Sequence, residues 1–179
     1  MSAALSDPVP VLQGRDLNGD TVVDAFYDTV LDITWLRDAN VNGAMDWNTA
    51  VAWADGYSFG GYSDWRLPTM GTCSINTGCS GALEMVQLWA TLGGGTGDFQ
   101  NLGGYYWSGT VLNESPDTAA WWFAYVTPYV GYYFTTKETP LFAMAVRDGD
   151  VAVVPEAGTY ALMLAGLAML RVLTRKRPH

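Results

Sequence analysis

Four oxygen-bearing side chains, Asp16, Asn18, Asp20 and Asp24, are spaced around Gly19 near the start of the chain. Oxygen donors at alternate positions of a tight turn suit a hard divalent cation, so the run fits part of a calcium loop. A complete loop of that kind needs a glycine directly after the third ligand and an acid at the twelfth position, where Thr21 and Tyr27 stand here. The other reading is an acidic turn facing water. Cys73 and Cys79 are the only cysteines, and they flank a short Gly- and Ser-bearing loop. In an oxidising compartment that spacing predicts a local disulfide. A zinc site would need further ligands, and the single histidine is His179. The third group is aromatic. Trp121 to Tyr125 and Tyr129 to Phe134 put rings on both faces of neighbouring strands. Rings left in water stack on the apolar faces of sugars, and Trp121, Trp122, Tyr129 and Tyr132 are the residues expected to hold such a ligand. Successive strand residues point to opposite faces, so at most one of Trp121 and Trp122 is expected in the core.

Catalytic patterns are missing. No Ser–His–Asp set can be assembled around a histidine at position 179, and no phosphate loop, dinucleotide fingerprint or zinc motif occurs. Carboxylate pairs of the glycosidase kind cannot be told from solvated acids by spacing alone. Arg66 and Arg147 are expected to pair with carboxylates and fix loops rather than to bind substrate. The net charge of −9 argues against a nucleic-acid partner. The chain is expected not to be an enzyme and to need no cofactor beyond the calcium reading.

The elements that must position these residues follow from periodicity. Phe26–Thr29 and Ile33–Leu36 alternate like short strands. Asp46 can cap a helix over 47–55, ended by Gly56. A second helix is expected over 81–92, where Met85, Leu88, Trp89 and Leu92 share a face and Gly93-Gly94-Gly95 ends it. The period then changes to two. Tyr105–Val111, Ala120–Val126, Val130–Thr135 and Leu141–Arg147 read as a meander of four strands. Helices first and strands afterwards predict an α+β domain. With 49% hydrophobic residues and eight tryptophans, a core is readily built, and Trp35, Trp47, Trp65 and Trp107 are expected in it. Residues 1–23 are expected to be a loose lead-in, 24–150 the domain and 151–179 a tail.

The words Ile33-Thr34-Trp35-Leu36-Arg37-Asp38-Ala39-Asn40, Met45-Asp46-Trp47, Ala50-Val51-Ala52-Trp53-Ala54, Gly60-Gly61-Tyr62-Ser63-Asp64-Trp65-Arg66-Leu67-Pro68-Thr69, Tyr106-Trp107-Ser108-Gly109-Thr110 and Ala143-Met144-Ala145-Val146-Arg147 occur in that order. Together they resemble the Legionella collagen-like protein C-terminal domain family over about residues 24–150. The resemblance implies a C-type lectin-like fold, with two helices and a curled antiparallel sheet, and a surface or extracellular binding module with the polyanionic-glycan and adhesion roles of relatives. Two alternatives stay open: a structural matrix protein without a specific ligand, and an enzyme of the formylglycine-generating type, which would use reactive cysteines.

The C-terminal end carries a different message. Pro155-Glu156 leads into an uncharged run from 157 to 170, followed by Arg171, Arg175, Lys176 and Arg177. Fourteen residues of helix span about 21 Å, and extension to Thr174 approaches the ~30 Å hydrocarbon core if Arg171 snorkels. The basic cluster favours the cytoplasmic side, which puts the domain outside. This layout resembles the PEP-CTERM sorting signal. The resemblance implies recognition and removal by an exosortase-type enzyme, a membrane anchor until then, and a cell-envelope or extracellular destination among polysaccharide. The first residues carry neither a basic nor an apolar export segment, so an export signal is expected upstream of them. The alternative for the run is a helix packed on the domain.

Overall fold

The computed structural model describes residues 11–126 and 130–151. The expected sorting tail, with Pro155, Glu156, Arg175, Lys176 and Arg177, lies outside these residues, as does Tyr129. Among the described residues no helix is long and apolar enough to cross a membrane.

The fold is α+β, with two helices and antiparallel sheets. Strands β1 (Leu12–Arg15), β2 (Ala25–Asp28) and β3 (Ile33–Leu36) form a meander. Its far edge is completed by β9 (Val146–Asp148), so the order is β1-β2-β3-β9 and both ends of the domain share one sheet. Between β3 and β9 come helix α1 (Trp47–Gly56), a hairpin of β4 (Thr72–Ser74) and β5 (Gly78–Ser80), helix α2 (Glu84–Thr91), and a second sheet. That sheet is β6 (Gly104–Val111), β7 (Ala119–Tyr125) and β8 (Gly131–Thr136), with β7 in the middle.

Helix α1 starts where its cap predicts. Asp46 Oδ1 accepts the Thr49 backbone N–H at 3.0 Å and Oδ2 accepts the Thr49 hydroxyl at 2.6 Å. Helix α2 begins three residues later than periodicity alone suggests. Gly81 has φ +93, a left-handed conformation that ends the hairpin and cannot belong to a right-handed helix. Met85 and Leu88 then point into the main core with Trp35, Tyr106, Phe123, Tyr125 and Met144. Trp35, Trp65 and Trp107 are fully buried as expected, whereas Trp47 is only half-buried.

Three expectations are corrected. Residues 12–15 are not a loose lead-in: they pair with β2 in register Leu12↔Asp28 to Arg15↔Ala25, and Leu17 is buried beside Trp65. Four residues interrupted by a glycine are too short to show a period. The domain also runs one residue past 150, because Val151 is buried in the Trp65 cluster. Finally, 141–147 is not a fourth strand of the meander. Leu141 and Phe142 make single bridges to Met45 and Tyr106, and the chain then crosses to pair with β3 as β9. The single curled sheet of the expectation is therefore divided in the structure.

Candidate functional site

The second sheet carries the most conspicuous surface. In β7, Trp121, Phe123 and Tyr125 face the main core, and Trp121 is only 5% exposed. Trp122 lies on the opposite face, half-buried. The register sets its neighbours: Trp122 pairs with Trp107 on β6 and with Tyr133 on β8, and Tyr105 pairs with Ala124. Residues paired across strands share a face, so Tyr105, Trp122 and Tyr133 come together. The Trp122 ring centroid is 5.3 Å from that of Tyr105, edge to face, and 5.2 Å from that of Tyr133, with planes tilted by 36°. Tyr105 is 44% and Tyr133 56% exposed, while α1 closes the other end of this face over Trp107 and Ala120. Gly131 lies beside this row. A Cβ at Gly131 would meet Tyr133 Cε2 at 3.4 Å and its hydroxyl at 3.6 Å. The Tyr133 ring thus lies back along its own strand, over a position with no side chain.

Of the four residues expected to bind, the structure puts Trp121 in the core and Tyr132 on that same core face, with its ring 5.9 Å from Trp121. Trp122 alone belongs to the open face, and Tyr129 falls outside the described residues. Tyr105 and Tyr133 are the partners that sequence reasoning missed. Strand parity was readable, but the pairing of one strand's parity with its neighbour's depends on register.

A second concave surface lies between α1 and the 65–69 segment. This groove, of about 800 Å³, has Trp47, Val51, Trp65 and Leu67 as apolar walls and Asn48 and Asp55 on the helix side. Trp47 is fixed there by its indole N–H, which donates to the Ser108 carbonyl at 2.8 Å, and by the Lys137 ammonium 3.9 Å from its ring centroid.

Arg66, also on the groove wall, is already committed. Its guanidinium grips both oxygens of the buried Glu84 carboxylate at 2.8 and 2.9 Å and pairs with Asp148. Glu84 also accepts the Thr69 N–H at 2.7 Å. Burial works against the charge on Arg66, but these carboxylates outweigh it and raise its pKa above the ordinary value. The arginine therefore ties α2, the 65–69 segment and β9 together through paired carboxylates. Arg147 likewise grips both oxygens of Asp64, at 2.9 and 2.8 Å, and lies over the Tyr62 ring.

In the acidic loop, carboxylate oxygens of Asp16, Asp20 and Asp24 lie within 4.8 Å of one another. Thr21 has φ +72, the conformation a glycine takes readily. The loop closes through its own backbone. Asp16 accepts N–H groups from Asn18, Gly19 and Thr21, Asp20 accepts that of Val22, and Asp24 that of Leu17. The Asn18 amide turns toward Asp20, donating to Oδ2 at 3.2 Å. Burial disfavours the charge on Asp16, but backbone N–H groups outweigh it and hold its carboxyl below the usual range. Asp24 is pushed up by burial and by the nearby Asp20 and Asp16 charges. Tyr27, at the twelfth position, donates its hydroxyl to Asp32 and supplies no carboxylate.

Cys73 and Cys79 are bonded across the β4–β5 hairpin, directly opposite each other in register. The bond closes the hairpin on itself, and burial of Cys73 in the main core seats that end of it against the body. With both thiols in this bond, neither is free for the cysteine chemistry of a formylglycine-generating enzyme.

The Lcl C-terminal domain family model matches residues 24–147. The chain belongs to this family. The match covers α1, α2, the hairpin and the whole second sheet, and so includes the aromatic row of this Lcl domain. The fold extends beyond the match at both ends, where β1 and Asp150 meet through Arg15, at 2.7 Å. No curated protein matches the chain. The disulfide and the family together point to an exported protein, since such bonds persist in oxidising compartments.

Proposed function

We propose that this Lcl domain is a non-catalytic binding module of lectin-like architecture that holds carbohydrate against Tyr105, Trp122 and Tyr133. The observation that carries the reading is the contact of three partly exposed rings across three adjacent strands, on the face of the sheet that turns away from the main core. Exposed aromatic clusters are costly to leave in water, and rings bind the apolar faces of sugars while a phenol keeps its polar tip wet. Strands hold the rings more rigidly than loops would, which lowers the ordering cost of binding.

Titration of soluble polysaccharides against the full chain and its Tyr133→Ala variant tests this. Binding should weaken about tenfold in the variant, with an unchanged melting profile. An Asp55→Ala variant should bind normally; if it loses binding and Tyr133→Ala does not, the groove beside α1 is the site.

The tail sequence supports delivery to the envelope. Pro155-Glu156, the apolar run and the Arg175-Lys176-Arg177 end read as a sorting signal for an exosortase-type enzyme, with the membrane as a temporary anchor. The C-terminal mass of the protein recovered from cells with and without such an enzyme tests this, and an identical intact tail from both would reject it.

A further inference from the structure

The proposed carbohydrate site deserves a ligand class, and charge supplies it. Strands β6, β7 and β8 contain no Asp, Glu, Lys or Arg, so the aromatic row sits on a sheet without a formal charge. A polyanionic glycan would need cations at or near the row. Five basic side chains lie among the described residues, and the fold already uses each of them. Arg15 pairs with Asp150, Arg66 with Glu84 and Asp148, and Arg147 with Asp64. Arg37 donates to the carbonyls of Val23 and Asp98. Lys137 is buried against Trp47. A sulfate or carboxylate would have to compete with these partners for the cations and would also meet the field of a chain with net charge −9.

We infer that the row selects uncharged polysaccharide. This rests on the carbohydrate reading above and narrows it. Binding by ring stacking against a neutral sugar involves no ion pair, so it carries little salt dependence, whereas polyanion binding to cations falls steeply as salt rises. Gly131 is a positioning residue in this scheme. A Cβ at this position would already be in van der Waals contact with the Tyr133 ring, so the added methyl groups of a branched residue would crowd the ring.

The experiment compares a neutral β-glucan with a sulfated polysaccharide, each titrated against the full chain at low and high sodium chloride. The variants are Tyr105→Ala/Tyr133→Ala and Gly131→Val, each with its melting temperature recorded. The expected result is row-dependent binding of the neutral polymer that changes less than about twofold with salt. It should weaken about tenfold or more in the double variant and measurably in Gly131→Val, with melting temperatures unchanged. Sulfated polymer whose binding is unaffected by the double variant is held elsewhere, and with row-dependent neutral binding this still supports the inference. Row-dependent binding of the sulfated polymer that exceeds the neutral one and falls with salt overturns the neutral class while leaving carbohydrate binding intact. Row-independent binding of both polymers, or binding of neither, rejects the carbohydrate site itself and the inference with it.

Discussion

The two sheets of this domain are held together by different forces. All four ion pairs among the described residues meet the β1-β2-β3-β9 sheet: Arg15 is on β1, Arg147 and Asp148 are on β9, and Arg66 is bridged to Val146. These pairs sew the two ends of the domain to each other and to α2. The β6-β7-β8 sheet has no charged residue and is built from rings in contact, with Trp121, Phe123 and Tyr125 inside and Tyr105, Trp122 and Tyr133 outside. Where polar side chains are spent on closing the fold, little chemistry remains for a ligand. Where packing alone closes it, one face can be left available. The contrast is why we propose the ligand face on the sheet that electrostatics does not hold.

The largest test of that contrast is on the aromatic sheet itself. Trp121→Ala should cost about 4 kcal/mol, because it opens a cavity in the main core, whereas Tyr133→Ala on the outer face should leave thermal unfolding nearly unchanged. Equal losses from both, measured by denaturant unfolding, would mean that the outer row is also packing. On the charged sheet, Arg66→Ala should cost about 3 kcal/mol, since Glu84 is left buried with the Thr69 N–H as its remaining donor. Arg66→Lys should rescue little of this, because an ammonium cannot make the paired contact. A lysine variant as stable as the parent would show that the charge matters and the geometry does not.

Acid should weaken the charged sheet selectively. Hydrogen bonds from Arg147 and Arg15 hold the Asp64 and Asp150 carboxyls below the usual range. A depressed carboxyl contributes stability that is present above its unfolded pKa of about 3.9 and is lost as pH falls through the lower folded value. Stability should therefore drop below about pH 4, and Asp64→Asn/Asp150→Asn should flatten that drop. An unaltered acid limb in the double variant would remove these pairs as its cause. The smallest expected effect is in the acidic loop. The Asp24 carboxyl is raised, so its contribution is fully present below the unfolded pKa and lost as pH rises through the folded value. Asp24→Asn keeps an acceptor for the Leu17 N–H and removes the repulsion, so it should raise Tm slightly near neutral pH and not in acid. A fall in Tm near neutrality would show that the charge itself supports the loop.

Local signals in the chain were sufficient for α1, for the body of α2 though not its start, and for the disulfide. Asp46 caps α1 through Thr49, Met85 and Leu88 repeat on a helical face, and Cys73 and Cys79 are too close in sequence to staple anything but a hairpin. Each depends on interactions within a few residues, and order along the chain likewise made the family legible. Strand β1 escaped because Leu12–Arg15 has no period of its own and is held by its partner β2. The crossing of Val146–Asp148 to β3 escaped because alternation says that a segment is extended, not which edge it joins.

The aromatic site divides along the same line. The sequence by itself determined that rings would crowd the 105–134 region and that Trp121 and Trp122 would point oppositely, because side chains alternate along any strand. Only the tertiary structure decided that Trp122, rather than Trp121, faces away from the main core, and that Tyr105 and Tyr133 flank it. Register selects which residues stand beside one another, and the layers packed on the sheet select which face stays wet. Both are set by contacts between segments far apart in the chain.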